Sequence, residues 1–484
     1  MILQLVALSA FLLILASLIK NDKYRLPMAV LCAGFIGLES ASFFMTSEPL
    51  NFTVIHHLGL RNLTRTFKAF QWWWTVFIIL GLVFLIAFWR ISGFKRLRAI
   101  WNRKPAAALL LLSLAAVMSL PGGILYSLKT VLSEWSAVRQ TMGLPQAMEE
   151  AGLNPAVYLP PERIEIHADQ TRNIVVISLE SFEKAFLNRP DLTPHLNSLA
   201  KTWTYFDNFT PVEGTFPTVA ALYSWQTGLP FLFGVGGNDV FKNSRAVPRH
   251  LPSLPLILKK AGYSLHYLAV MTDFAGMESM MGALGYDSIK GRKREDYPFE
   301  VINSYYDFYD RDVLALAKLE FSKLHEGKKP FLLVVSTIDT HFPGELYDPR
   351  IDKEMPPNSG GKTERLIQWT DLIVADLVAH IEALDKETVI IIMPDHLSFQ
   401  LPQGFDRPKP GLYLLANKPA SSFGQKAEAQ IIHPRIPAMI LKAAGVETNF
   451  IFPADLITGD FKTWTANNRE GLISLNRAFW AEDQ

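Results

Sequence analysis

The sequence predicts an N-terminal region of four transmembrane helices, followed by an α/β domain with a largely parallel central sheet flanked by helices. Four apolar windows, each close to the ~20 residues that cross a bilayer, fill the first 128 of 484 residues. From Asn173 onward, short apolar runs alternate with helical patterns. This alternation is typical of parallel strands joined by helices and buried on both faces.

Basic residues set the orientation of the apolar windows. The windows are Ile2–Ile19, Leu26–Met45, Gln71–Trp89 and Ala106–Leu128. The short loops after the first and third windows, Lys20–Arg25 and Arg90–Lys104, are basic and are therefore predicted to be cytoplasmic. The loop 46–70 and everything after residue 128 then face outward. The first window lacks a preceding basic segment and a small-residue cleavage site, which argues against a cleaved signal peptide.

Composition narrows the function classes. The net charge of +1 gives no argument for a nucleic-acid partner. The single cysteine, Cys32, excludes an intramolecular disulfide and a cysteine-based zinc site. We divide the chain into the membrane region 1–128, a proline-containing linker 129–172 at the membrane surface, a catalytic domain 173–450 and a C-terminal extension 451–484.

The α/β domain is predicted to contain at least five strands and six helices. The strands are predicted at Asn173–Leu179, Leu265–Val270, Phe331–Thr337, Val389–Met393 and Gly411–Leu415. The helices are predicted at Thr193–Lys201, Thr218–Gln226, Leu254–Ala261, Asp312–His325, Thr363–Leu384 and Pro434–Ala444.

Polar side chains follow three of these strands where each strand ends. They are Glu180 after the first, Asp339 and His341 after the third, and Asp395 and His396 after the fourth. In open α/β sheets, ligands bind outside the carboxyl ends of the strands, so these side chains are expected at one edge. Any of them alone has a plainer explanation, such as an ordinary turn, a helix cap or a loop histidine. Their joint position at strand ends is what favours a site.

Thr218 joins this edge from the start of a predicted helix. An isolated threonine there is more often an N-cap, but a helix N-terminus also suits a phosphate. With Glu180, Asp395 and His396, its hydroxyl makes a four-ligand set for a divalent metal ion. The metal would lower the pKa of the hydroxyl and make it a nucleophile. Oxygen ligands favour Mn²⁺ or Mg²⁺, and the imidazole also admits Zn²⁺.

Several of these segments resemble the alkaline phosphatase/sulfatase superfamily, in the branch that contains lipoteichoic acid synthases and periplasmic phosphoglycerol transferases. Asn173-Ile-Val-Val-Ile-Ser-Leu-Glu-Ser-Phe182 resembles the opening strand, and Met393–Leu397 resembles the aspartate–histidine metal pair. Gly214–Leu222 with Thr227–Pro230 is similar to the nucleophile helix. By the superfamily's spacing, Thr218 stands ten residues before the glycine of the Thr-Gly pair, and Thr215 is the alternative nucleophile.

Within this branch, Asp339-Thr-His341, Asp395-His-Leu397 and Phe274-Ala-Gly276 look like the enzymes that transfer phosphoglycerol from phosphatidylglycerol to periplasmic glucans. Lipoteichoic acid synthases typically carry a Trp and an Arg near Phe274–Glu278, and this chain has neither there. Phosphoethanolamine transferases typically contain several disulfides. This chain has one cysteine and cannot form them, so it departs from that group.

The resemblance implies a phosphotransferase of the bacterial inner membrane whose sulfatase-like domain faces the periplasm. Phosphatidylglycerol would be the phospholipid donor and an envelope glycan the acceptor, with a phospho-threonine intermediate on Thr218. His341, Asp339 and Asp273 are assigned to the substrate, and His341 also to protonation of the leaving oxygen. A phosphoethanolamine transferase and a catalytically inactive lipid-binding sensor stay open as alternatives.

Overall fold

The computed structural model describes residues 142–480 except 169, 235–240, 242–250, 305–306, 342–345, 357–360, 399–400 and 418–429, with a few isolated positions before 142. Contacts divide the chain into two units, Met1–Arg139 with Gly234–Gly236, and Gln140–Phe233 with Gly237–Gln484. Apart from isolated positions, the four predicted transmembrane windows lie outside the described residues. No helix among the described residues is long and apolar enough to span a bilayer.

The second unit alternates strands and helices, as the sequence predicts. The described strands are β1 (Ile166–His167), β2 (Ile174–Leu179), β3 (Thr204–Phe209), β4 (Ser264–Ala269), β5 (Ser288–Lys290), β6 (Phe331–Ser336), β7 (Val389–Pro394), β8 (Leu412–Ala416) and β9 (Glu447–Thr448). The described α-helices are α1 (Leu144–Glu150), α2 (Lys184–Leu187), α3 (Pro194–Thr202), α4 (Thr218–Thr227), α5 (Leu254–Lys260), α6 (Met277–Ala283), α7 (Asp310–Glu326), α8 (Ile351–Glu354), α9 (Lys362–Leu384), α10 (Ile436–Ala444), α11 (Phe461–Asn467) and α12 (Arg469–Trp480).

A seven-stranded sheet in the order β3-β8-β7-β2-β6-β4-β5 forms the centre of the unit. The five strands from β7 to β5 run parallel, which confirms the predicted parallel core. At the other edge, β8 runs antiparallel to both β7 and β3, so the whole sheet is mixed. The short strands β1 and β9 pair separately.

The central strands β2, β6 and β7 are continuous apolar runs, and every residue in them is buried. Such runs fit a strand covered on both faces. On one face, residues such as Val175 and Ile177 share a core with apolar side chains of α7 and α9. The alternate residues Ile174 and Val176 are also fully buried, so the opposite face is covered as well.

The register of β2 against its two neighbours brings their carboxyl ends level. Leu179 lies opposite Pro394 of β7, and Ser178 lies opposite Ser336 of β6. The residues that follow the three strands therefore meet at one edge of the sheet. This register is what places the predicted site.

Helix α12, in the C-terminal extension, packs against α4. It also contacts the segments that precede and follow α4. The Tyr223 hydroxyl in α4 donates to Asn476 Oδ1 at 2.6 Å, and Asn476 Nδ2 donates to the Pro230 carbonyl at 3.0 Å. Arg469 at the start of α12 pairs with Glu213, just before α4. The extension is therefore part of the folded unit.

Replacing Asn476 by alanine should destabilise the protein. The change leaves the buried Tyr223 hydroxyl without its acceptor, which costs about 1–3 kcal/mol. Thermal unfolding of the full-length protein in detergent should show a lower midpoint for Asn476→Ala. Asn449→Ala is the matched control, because Asn449 bonds only at the exposed surface. Equal midpoints in the two variants would contradict the role of Asn476.

Candidate metal centre

Glu180 is the first residue after β2, and its carboxylate is buried at the edge of the sheet. The Thr218 hydroxyl donates to Glu180 Oε2 at 3.0 Å, and the Ser181 hydroxyl donates to Oε1 at 2.7 Å. The backbone is fixed as well, because the Glu180 amide donates to Thr337 Oγ1 at 2.8 Å. Both carboxylate oxygens are therefore oriented by short local contacts.

Asp395 follows β7 and lies beside Glu180, as the register requires. Its Oδ1 accepts from the Ser181 amide at 2.8 Å and from the His396 amide at 2.7 Å. Its Oδ2 is buried and makes no hydrogen bond within the described part of the chain. A buried carboxylate oxygen without a donor is costly, and it is the kind of atom that binds a cation.

His396 presents one ring nitrogen to this cluster. Its Nδ1 lies 2.8 Å from the Leu397 carbonyl, which can only accept, so Nδ1 carries the proton. In the neutral imidazole, Nε2 then carries the lone pair, which is the form that binds metals. This atom lies 3.3 Å from Thr218 Oγ1, 3.4 Å from Asp395 Oδ2 and 3.6 Å from Glu180 Oε1.

Thr218 and Thr215 differ in what their hydroxyls contact. Thr218 is the first residue of α4, and its hydroxyl lies between Glu180 and His396. The Thr215 hydroxyl donates instead to the Val212 carbonyl at 2.7 Å, within its own loop. The geometry therefore favours Thr218 over Thr215 as the hydroxyl of the site.

The donor set fits a divalent cation. One ligand atom from each of Glu180, Asp395 and His396 can lie within 4.8 Å of the others, and all three residues are buried. Burial and the neighbouring Glu180 raise the pKa of Asp395 to about 7. Burial lowers the pKa of His396, but the two carboxylates outweigh it and the net shift is upward. Two carboxylates against one imidazole leave negative charge, which a cation would balance.

His341 lies after β6, at the same edge of the sheet, and is partly buried. Its amide donates to the Ile338 carbonyl at 2.9 Å, which makes a tight turn after the strand. It does not belong to the group of ligand atoms formed by the other three residues. The predicted role of His341 at the substrate stays a prediction.

Asp339 follows β6 as predicted and has a partner that the sequence did not indicate. Its carboxylate is fully buried, and its Oδ2 accepts from the Asp310 amide at the start of α7 at 3.1 Å. Asp310 in turn accepts from the amides of Asp339 and Ile338 at 2.9 and 2.7 Å. This reciprocal pair joins the strand end to α7 and faces the protein interior. The pair gives Asp339 a structural contact to α7, while its Oδ1 is buried without a hydrogen bond to any described residue. The predicted contact between Asp339 and the substrate stays a prediction.

Asp273 lies in the loop after β4 and is about half exposed. It forms an ion pair with Arg292 at 2.8 Å. In the sheet, β6 separates β4 from β2, so Asp273 is two strands away from the strand that leads to Glu180. It lies at the predicted edge but outside the metal cluster.

Three hydroxyl residues that support Glu180 were not predicted. Ser181 holds a positive φ of 50°, which turns its hydroxyl back onto Glu180. Thr337 accepts from the Glu180 amide, and the Thr340 hydroxyl donates to the Glu180 carbonyl. A signal for them exists in the sequence, because Ser181 and Thr337 lie within two residues of the end of a buried strand and Thr340 lies four residues after β6.

Comparison with known families identifies the domain. Residues 172–411 match the family model described as Sulfatase. These residues form a sulfatase-family domain. The match begins just before β2 and includes Glu180, Thr218, Asp395 and His396, so the whole candidate centre lies in the sulfatase domain. The superfamily resemblance stated from the sequence motifs is thereby confirmed.

Relatives of this sulfatase domain include proteins named Phosphoglycerol transferase I. The one from Escherichia coli is 28% identical over 242 residues, which are 48% of this chain and 31% of that protein. The one from Citrobacter koseri is 28% identical over 323 residues, 60% of this chain and 41% of that protein. The chain thus matches less than half the length of these relatives.

Among solved structures, the lipoteichoic acid synthase LtaP from Listeria monocytogenes aligns with a TM-score of 0.48 and 15% identity. The alignment covers 64% of this chain and 80% of that one. This similarity is too low to add to the family assignment.

The buried carboxylate pair Asp310–Asp339 should make stability depend on pH. Burial raises the pKa of Asp310 to about 7, and burial with the Asp310 charge raises the pKa of Asp339 well above its ordinary value. A folded-state pKa above the unfolded value means that the folded protein binds extra protons, so stability falls as pH rises from about 4 towards 7.

Asp339→Asn removes one of these charges, so it should flatten this dependence. We expect unfolding midpoints close to wild type at pH 5 and a higher midpoint than wild type at pH 8, because each pKa unit corresponds to about 1.4 kcal/mol. Asp376→Asn, at an exposed carboxylate, is the control and should leave the pH dependence unchanged. A variant that follows the wild-type profile between pH 5 and 8 would rule out this explanation.

Proposed function

We propose that this protein is a membrane-anchored, metal-dependent phosphoglycerol transferase. It would move the head group of a phospholipid, phosphatidylglycerol, to an envelope glycan by way of a phospho-threonine intermediate. The observation that carries the proposal is the position of the Thr218 hydroxyl, 3.0 Å from Glu180 Oε2 and 3.3 Å from His396 Nε2. A nucleophile that lies among metal ligands at a helix start is suited to phosphoryl transfer.

Glu180, Thr218, Asp395 and His396 would hold the divalent cation, which when bound lowers the pKa of the hydroxyl and stabilises negative charge at phosphorus. The oxygen-rich set favours Mn²⁺ or Mg²⁺, with Zn²⁺ as the alternative. The second ring nitrogen of His396 and the amides on Asp395 fix the ligands before substrate arrives. Such fixed orientation reduces the reorganisation that the reaction requires.

Thr218 would first lose its hydroxyl proton to solvent. In the first step its Oγ1 attacks the phosphorus, and the bond from phosphorus to the diacylglycerol oxygen breaks. His341 protonates the departing oxygen, and phosphoglycerol remains esterified to Thr218. In the second step, a glycan hydroxyl attacks the same phosphorus while His341 takes its proton, and the Thr218 oxygen is released. The two steps use the same groups in reverse order, as a double displacement requires.

The start of α4 supplies a second contribution to this reaction. The first amides of a helix have no partner within it, and the helix dipole places partial positive charge there. Thr218 is the first residue of α4, so the phosphoryl oxygens of a group on Thr218 would lie against these amides. Because α12 contacts α4 through Asn476, the orientation of this helix is fixed from outside the sulfatase domain.

Two observations support a phosphoglycerol transferase over the alternatives. The relatives of the domain are named Phosphoglycerol transferase I. A catalytically inactive lipid-binding sensor would have no need of a hydroxyl among metal ligands, yet Thr218 occupies that position. A phosphoethanolamine transferase would use the same chemistry, so the donor assays below include its lipid.

Membrane anchoring is the part of the proposal that rests on the apolar windows and their basic loops. Single cysteines at Leu60 and Ser92, introduced after Cys32→Ser, test the topology in intact cells with a membrane-impermeant thiol reagent. The cysteine at position 60 should react from outside, and the one at position 92 only after lysis. Labelling of position 92 in intact cells would reverse the orientation and place the sulfatase domain on the wrong side for a periplasmic glycan.

Thr218→Ala should abolish transfer and leave the fold and the bound metal largely in place, because three ligands remain. The expected loss of turnover is at least about 10³-fold, since the nucleophile itself is removed. Thr215→Ala is the matched control in the same loop and should retain most of the activity. Wild-type full-length protein should be incubated with radiolabelled phosphatidylglycerol or, separately, phosphatidylethanolamine, quenched rapidly and mapped by peptide mass spectrometry. With phosphatidylglycerol it should carry phosphoglycerol on Thr218.

Two results would count against this assignment. Substantial turnover in Thr218→Ala would mean that Thr218 is not the nucleophile. A phosphoglyceryl group mapped to Thr215 would transfer the role to that residue. Phosphoethanolamine on Thr218, without phosphoglycerol, would keep the mechanism and change the donor.

A further inference from the structure

Glu183 is a fully buried carboxylate close to the metal centre but outside it. It lies three residues after Glu180, at the start of α2. Arg407 binds it with two hydrogen bonds, from Nε to Oε2 at 2.7 Å and from Nη2 to Oε1 at 2.8 Å. A two-point guanidinium–carboxylate contact fixes the orientation of both groups.

The peptide between Leu397 and Ser398 connects Glu183 to His396. Its N–H, on Ser398, donates to Glu183 Oε1 at 3.1 Å. Its carbonyl, on Leu397, accepts from His396 Nδ1 at 2.8 Å. Because one rigid plane carries both groups, a carboxylate that fixes the N–H also fixes the direction of the carbonyl.

We propose that Glu183 and Arg407 are positioning residues for His396, acting through this peptide. A metal-binding histidine commonly donates its other N–H to a carboxylate or carbonyl, which sets its tautomer and orientation. Here the N–H of the same peptide is held by an ion pair whose carboxylate is fully buried, and polarisation along such a chain of hydrogen bonds strengthens each of them. This inference rests on the proposed metal centre and concerns residues that do not touch the metal.

Other contacts join the segments 395–398 and 407–411 to each other and to the start of α2. Arg407 Nη2 also donates to the Ser398 carbonyl at 2.6 Å. The ion pair therefore binds both backbone groups of Ser398, its N–H through Glu183 and its carbonyl through Arg407. The Lys184 amide donates to the Gly411 carbonyl at 2.8 Å. Leu397 packs so closely on Gly411 that an added Cβ would meet it at 2.6 Å. The ion pair therefore lies among these joined segments, and moving it would move the Leu397 carbonyl.

Glu183→Gln is the direct test, because glutamine keeps the size and loses the charge. Titration of Mn²⁺ into the full-length protein, followed by calorimetry, should show about tenfold weaker binding for Glu183→Gln and up to about 100-fold weaker for Glu183→Ala. With Co²⁺ in place of Mn²⁺, the visible absorption bands should shift, since they report the orientation of the imidazole. Arg407→Lys should fall between wild type and Glu183→Gln.

A double variant separates positioning from folding. Glu183 is fully buried and Arg407 is 35% exposed. Replacing both by methionine removes the buried charge together with its partner and keeps similar volume, so Glu183→Met with Arg407→Met should fold and bind the metal less tightly. Asp371→Asn is the matched control, because Asp371 is a buried carboxylate that holds the α3 amides of His195 and Leu196. It should lower stability without changing metal affinity.

The outcomes distinguish this inference from the function on which it rests. Unchanged Mn²⁺ affinity and Co²⁺ spectrum in Glu183→Gln and in the folded double variant would overturn the positioning role and leave the metal centre intact. If Asp371→Asn and Glu183→Gln lose Mn²⁺ affinity equally, the loss reflects general destabilisation. That result would also overturn the positioning role. A wild-type protein that binds no Mn²⁺, Mg²⁺ or Zn²⁺ would overturn the proposed metal centre itself.

Discussion

The proximity of two buried carboxylates is the constraint on which the site depends. Because Leu179 of β2 lies opposite Pro394 of β7, the next residues, Glu180 and Asp395, are adjacent at the edge of the sheet. Both side chains are almost completely buried. Two like charges in such a place are unfavourable unless cations or hydrogen-bond donors compensate them.

The surrounding residues are arranged around this excess of negative charge. The Ser181 amide and hydroxyl, the Thr218 hydroxyl and the His396 amide all donate to the two carboxylates. Even so, Asp395 Oδ2 makes no hydrogen bond to any described residue. A divalent cation at this point would satisfy the remaining oxygen and bring the Thr218 hydroxyl into the same coordination sphere. Charge balance and the proposed catalysis would then depend on one ion.

The sequence was sufficient to predict the parallel core and most of the centre. Continuous apolar strands such as Val389–Pro394 are recognisable without knowledge of tertiary contacts, and polar residues directly after them must lie at the edge of the sheet. The short strand β5 and the edge strand β3 were missed, because their partly exposed residues lack an apolar run. The C-terminal helices were described only as an extension, since their packing depends on distant partners such as Tyr223.

The roles that could not be predicted depend on pairs that are distant in sequence. Asp339 was assigned to the substrate because it follows a strand. Its contact with Asp310, at the start of a helix from an earlier segment, had no signal in the sequence. Glu183 and Arg407 are separated by 224 residues, and no local pattern connects them. Thr218 and Thr215 are three residues apart, and the spacing to Gly228 favoured Thr218. The structure adds that the Thr218 hydroxyl contacts Glu180 and His396, whereas the Thr215 hydroxyl donates to Val212.

Anomalous X-ray scattering from crystals of the full-length protein grown with Mn²⁺ tests the central claim most directly. The account predicts one anomalous peak within coordination distance of Glu180, Thr218, Asp395 and His396, at about 2.0–2.3 Å from the ligand atoms. The crystals should be grown with saturating Mn²⁺ and without Mg²⁺. A peak at the Asp310–Asp339 pair, or no peak at this edge of the sheet, would contradict the proposed metal centre.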